Sequence, residues 1–174
     1  MSEGRHRTPS SKAILKGASI LRTKVNYWAV LVAAATTMVT SAAWYIVFAN
    51  AWLKLRGLDP STASARPQVW EIAGQLGRNL IVAFVLANLL RRLEVATWKG
   101  AVRVAVLLWV GFEAMAIAGS VLHEHYPLGL YAIHVGDALQ ATLIMSLILG
   151  TWRRGARREA RREVDPSSAA FTSS

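Results

Sequence analysis

The sequence predicts an all-α integral membrane protein, a four-helix bundle with both termini on the cytoplasmic side. Three observations predict it. Of 174 residues, 53% are apolar and 17% charged, with a mean hydropathy of +0.32; counting glycine, the apolar share is about 60%, against about 45–50% in soluble domains. Four long stretches are nearly free of charge. The 20 Lys and Arg, which outnumber 10 Asp and Glu for a net charge of +10, lie outside those stretches with one exception.

Residues 1–24 form a polar, basic cytoplasmic segment. In it Ile14, Ala18 and Leu21, continued by Val25, recur at helical spacing beside lysines, the pattern of a short interfacial helix. Residues 25–153 hold the membrane domain. Its first span, Tyr27 to Ala49, carries no formal charge, and about 20 apolar residues at about 1.5 Å each cross a hydrocarbon core of about 30 Å. The run is too long and starts too late for a cleaved signal peptide. Further spans are expected at about 72–90, 104–122 and 128–150. Between the first two runs a polar outer loop with an amphipathic turn, Ala51-Trp52-Leu53-Lys54-Leu55, expected to lie on the membrane surface. The third and fourth spans are joined by His123-Glu124-His125-Tyr126-Pro127, short enough for an antiparallel hairpin. Residues 154–174 read as a cytoplasmic tail, basic at first and then disordered over DPSSAAFTSS.

Orientation follows from the basic residues. The N-terminal segment, the second connection and the C-terminal tail hold 16 of the 20 Lys and Arg, the first connection holds Lys54, Arg56 and Arg66, and the third connection holds none. By the positive-inside rule both termini are cytoplasmic, in a multi-pass protein of the cell (plasma) membrane. The arginines of RRGARREARRE read as anchors to anionic headgroups, each contributing about 1 kcal/mol of attraction. They lack the interleaved aromatics of a nucleic-acid surface, so no nucleic-acid partner is expected. Small residues recur along the spans, where lipid-embedded helices pack closely, and Tyr27, Trp28, Trp44, Tyr45, Trp70 and Trp152 fall near span ends, as in an aromatic belt.

Four ionisable side chains interrupt the spans: Arg78 in the second, Glu113 in the third, and His134 and Asp137 in the fourth. A charge at the centre of a membrane helix costs at least about 2.5–3.5 kcal/mol, so these groups should face one another or water. At about 1.5 Å per residue both acids fall about 14–15 Å deep, near the midplane, with Arg78 and His134 about 9 Å below the outer end. His134 and Asp137 share a helix face. A cluster with Arg78 against Glu113 or Asp137 is therefore available, and its two carboxylates exceed one guanidinium by a unit, so one proton is expected on an acid or on His134. Two readings stand open: a proton- or solute-handling site, or an ionic pair that only fixes which helices meet.

His123 and His125 form an H-x-H pair that would need a third ligand, Glu124 or His134, to hold a metal. The absence of cysteine excludes disulfides, thiolate metal sites and cysteine nucleophiles. No metalloprotease, nucleophile-elbow, Walker or dinucleotide motif is present. Neither an enzyme nor a cofactor is expected.

Val25-Asn26-Tyr27-Trp28 with the small-residue helix after it, Trp44-Tyr45, Trp52-Leu53-Lys54, Gly111-Phe112 and the ending from Leu147 to Arg153 together resemble a bacterial membrane family labelled domain of unknown function 1761 (DUF1761). The likeness covers about residues 25–153; where the family pattern has Ser-Pro after Tyr, this chain has Ile46-Val47. The resemblance implies a four-helix membrane protein without an assigned activity, and it adds Trp44 and Tyr45 as an interfacial candidate motif. Two functions are carried forward. One is a proton-linked or small-solute transport or channel component, working as a homo-oligomer. The other is a non-catalytic scaffold that binds a membrane partner through its small-residue faces.

Overall fold

In the computed structural model the described residues are 25–59, 68–95 and 97–164, with side chains described as far as Arg153 and at Gly155. All regular structure among them is helical. The expected interfacial helix before Lys24 and the 165–174 tail lie outside the described residues.

Helix α1 (Tyr27–Val47) starts at Asn26, whose side chain accepts from the backbone N–H groups of Trp28 and Ala29 at 3.0 and 3.3 Å, a side-chain N-cap. It ends at Phe48 without a proline, and the chain continues as α2 (Ala49–Leu55), where the amphipathic turn was expected. Helix α3 (Val69–Arg92) begins three residues before the expected span. Glu71 accepts the Gln68 backbone N–H at 2.9 Å, and an acid in the first turn also complements the helix dipole, so this end is fixed by polar capping that hydropathy alone does not register.

The third long helix starts at Trp98, capped by Thr97, whose hydroxyl accepts from the Gly100 N–H at 3.1 Å. It comprises α4 (Trp98–Leu108), a π-helical segment (Trp109–Ala114) and α5 (Met115–His123). Helix α6 (Leu128–Val164) is 37 residues long, so its helical backbone continues through the basic RRGARREARRE stretch beyond the expected end near 150. Four helical stretches, Tyr27–Val47, Val69–Arg92, Trp98–His123 and Leu128–Arg153, are long and apolar enough to cross a membrane.

Helix α1 packs against α3 and α6, and α6 also packs against α3 and the third helix, whereas α3 and the third helix make little direct contact. The tight contacts use the smallest side chains. Ala29, Ala33 and Ala34 of α1 and Ala83 and Ala87 of α3 are buried in one cluster with Leu86, Leu90, Ala101, Met145 and Leu149. A Cβ on Gly150 would stand 2.9 Å from that of Ala101, so glycine lets α6 approach α4 there. Arg153 Nη1 donates to the carbonyls of Leu90 and Val95, the latter at 3.1 Å, satisfying acceptors where α3 ends. Tyr27, Trp28 and Trp70 are exposed at helix ends. Trp44 and Tyr45 are half-buried and turn inward.

Candidate functional site

The gap between α3 and the third helix is a cavity of about 1030 Å³. Helices α1 and α6 floor it with Met38, Ser41, Ala138 and Met145; Ile72, Gln75 and Val82 line the α3 wall, and Ala116, Ile117 and Ser120 the opposite wall. Arg78, Glu113, His134 and Asp137 all line it, and Tyr45 joins them. At one end it reaches Glu71, Glu124 and Tyr126, where α3 begins and α5 ends.

The capping at Gln68 sets the depth of Arg78. Counted from Val69 it lies about 14 Å along α3, deeper than the 9 Å expected from a start at Ile72. That brings it level with Glu113, about 15 Å from the His123 end, and Asp137, about 14 Å from Leu128.

The four groups share a cavity but not the expected ion pair. Among the described residues Arg78 makes no salt bridge within 4.0 Å, although its charge lies within electrostatic reach of Glu113 and Tyr45. Each acid is held by a neutral neighbour. Thr142 donates to Glu113 Oε1 at 2.6 Å, leaving Glu113 Oε2 buried without a partner. Gln140 donates to Asp137 Oδ1 at 3.0 Å and to the Thr40 carbonyl at 3.3 Å, so Asp137, only 7% exposed, is oriented from its own helix and linked to α1. Direct ionic glue between helices is thus replaced by an acid on one wall of the cavity, an acid on its floor and a guanidinium on the opposite wall.

His134 pairs with the aromatic motif. The Tyr45 hydroxyl hydrogen-bonds His134 Nδ1 at 2.6 Å, with the Tyr45 and Tyr126 rings 5.7 and 5.9 Å from the imidazole. Trp44 Nε1 donates to the Ile133 carbonyl at 3.0 Å. Its indole occupies the place where a side chain on residue 136 would go: a Cβ there would meet the ring at 2.6 Å, so Gly136 is the seat for Trp44. Trp44 and Tyr45 therefore join the end of α1 to α6 beside the cluster, and the two candidate sites of the sequence become one.

Glu113 sits in the π-helical turn, a feature that recurs at functional sites because it re-aims side chains within an otherwise regular helix. Trp109, at the start of that turn, donates to the Val135 carbonyl at 2.8 Å, anchoring it to α6. His123 and His125 are exposed, and His134 is engaged by Tyr45 instead of supplying a third ligand. Among the described residues no group of three His, Cys, Asp or Glu is placed to hold a metal.

A family model described as "Protein of unknown function (DUF1761)" matches residues 28–150. The chain belongs to the DUF1761 family. Neither a curated protein nor a solved structure matches it. Trp44, Tyr45 and all four ionisable residues of the cavity lie within the stretch that carries the DUF1761 match.

Sequence reasoning passed over three contributors. Ser41 and Thr142 were legible as polar residues one turn from Tyr45 and from Ala138 on cavity-facing stripes. The π-helical turn follows from how the third helix seats on α6 and has no hydropathy signature.

Proposed function

We propose that this DUF1761 protein is a multi-pass plasma-membrane protein, a four-helix bundle with both termini cytoplasmic and its third and fourth spans an antiparallel hairpin. Contacts between Ala101 and Gly150 and between Ala114 and Tyr131, which run in opposite chain directions, support the hairpin. Its function is proton-linked handling of a small solute, as a transport or channel component. One observation carries this: the four ionisable side chains that interrupt the apolar stretches, Arg78, Glu113, His134 and Asp137, line a single cavity large enough for a drug-sized molecule, whereas charges kept only for helix pairing would be closed against each other.

The chain has no native cysteine, so single cysteines report water directly. A membrane-impermeant thiol reagent added from the side opposite the termini should label Ser41→Cys and leave Ala34→Cys untouched. In proteoliposomes under an imposed pH gradient, proton or solute flux should be lost in Glu113→Gln and Asp137→Asn variants that remain folded. An unlabelled Ser41→Cys, or no flux by the native protein under any gradient, refutes the proposal.

A second reading, an interaction subunit, is supported by Gly111 and Gly119, which face open space within 4 Å on the least covered of the four helices. Small residues facing outward admit another helix closely. Crosslinking from the third helix should then recover a stoichiometric partner or a second copy.

A further inference from the structure

The occupant of the cavity follows from its charge balance and its open hydrogen-bonding positions, given the reading above that the cavity is a binding site. At the level of Arg78 two carboxylates, Glu113 and Asp137, face one guanidinium, and towards the open end Glu71 and Glu124 add two more acids. Inside a bilayer the deeper group is one positive charge short, and an uncompensated carboxylate there is costly. The deficit is met by a proton or by a cation. Arg78 taken alone would suit an anion, but the carboxylates around it oppose one.

Two buried polar atoms can each accept from a donor. Glu113 Oε2 has no partner. Ser41, 6% exposed and lining the cavity, has a hydroxyl with no partner either. A metal ion would need several converging ligands, and among the described residues no three Asp, Glu, His or Cys side chains are grouped to hold one. An ammonium N–H needs only such acceptors, and Tyr45 and Tyr126 line the cavity nearer its outer end, where an apolar body would lie.

We infer that the cavity binds a protonated organic amine, whose N–H donates to Glu113 and whose body lies on the apolar walls, and that its entry displaces the proton that Glu113, Asp137 and His134 otherwise hold among them. One ammonium enters and one proton leaves to bulk water, so the charge of the site is conserved.

Three probes sharing one ring system separate the charge classes: naphthylmethylammonium, naphthoate and naphthalenemethanol. Each is titrated into the full chain in lipid nanodiscs, with empty nanodiscs as the reference. The ammonium should bind saturably and release about one proton, read from the buffer dependence of the binding heat. Glu113→Gln keeps an acceptor for Thr142, so it should remain folded, and it should weaken ammonium binding about tenfold or more, the scale of a hydrogen bond to a charged group. Tighter binding of naphthoate, equal binding of all three, or ammonium binding indifferent to both Glu113→Gln and Asp137→Asn overturns the inference while leaving a solute site in place. Saturable binding by none of them overturns it too, and the labelling and flux measurements then decide the broader reading on their own.

Discussion

The two halves of the helical domain use the same residue type to opposite ends. Towards the termini Ala33, Ala34 and Ala83, each 0% exposed, let α1, α3 and α6 close completely. Towards Glu71 and Glu124, Ala42, Ala116, Ala138 and Ala141 leave a cavity. The difference lies in the helix opposite. In the closed half each alanine meets a neighbouring helix, whereas in the open half α3 and the third helix are separated by the cavity and the small side chains become walls. Small residues in membrane helices thus mark either contact or void, and the packing partner decides which.

The largest effect expected from this contrast comes from making one substitution in both halves. Ala33→Leu forces a side chain into a filled contact and should cost about 1–3 kcal/mol, the range for overpacking. Ala116→Leu projects into the cavity and should leave stability nearly unchanged while lowering occupancy of the site. Unfolding in mixed micelles with increasing dodecyl sulfate measures both. Equal costs would mean the cavity closes in the membrane, and the contrast would be lost.

Next in size is Gly136→Ala, a tight contact within the open half. The added methyl would stand 2.6 Å from the Trp44 ring and 3.0 Å from a second ring carbon; a rigid indole cannot yield as a flexible chain end would. Trp44 should be displaced and its hydrogen bond to Ile133 broken, for a cost of about 1–3 kcal/mol. Trp44→Leu makes room for that methyl, so the double variant should lose less than the two single losses combined, the non-additivity of residues in contact. Additive losses would show that the indole does not rest on Gly136.

The contrast also explains what could be read from the sequence. The four long apolar helices and their order were legible because each is a composition signal some 20 residues long. The ends were less so. Glu71 capping Gln68 begins α3 at Val69, and the helical backbone of α6 runs on through residues whose charge reads as tail. Arg78, Glu113, His134 and Asp137 stood out as charges in apolar runs, and all four do face one cavity. Their pairing was not legible, because it turns on the separation of α3 from the third helix and on neutral partners, Thr142, Gln140 and Tyr45, that any polar residue on those faces could have been. Trp44 and Tyr45 carried an aromatic-belt signal like that of Tyr27 and Trp28, and only Gly136 distinguishes an indole that docks inward from one that floats at an interface.

The smallest effect is the most discriminating. Thr142→Val keeps the shape of the side chain and removes the hydroxyl that donates to Glu113 at 2.6 Å. In a dry interior both carboxyl oxygens of Glu113 would then lack partners, which costs about 1–3 kcal/mol or more for a charged group. In a hydrated cavity water takes the vacant position, and the loss should fall to about 0.6 kcal/mol, the typical contribution of a hydrogen bond between membrane helices. The cavity predicts the smaller figure. Ser146, one turn along α6 and 0% exposed in the closed half, supplies the control: its hydroxyl has no partner, so Ser146→Ala removes an unsatisfied group and should be neutral or stabilising. A Thr142→Val loss on the scale of Ala33→Leu would mean that both halves are dry, and Glu113 would then be a structural acid with nothing to bind.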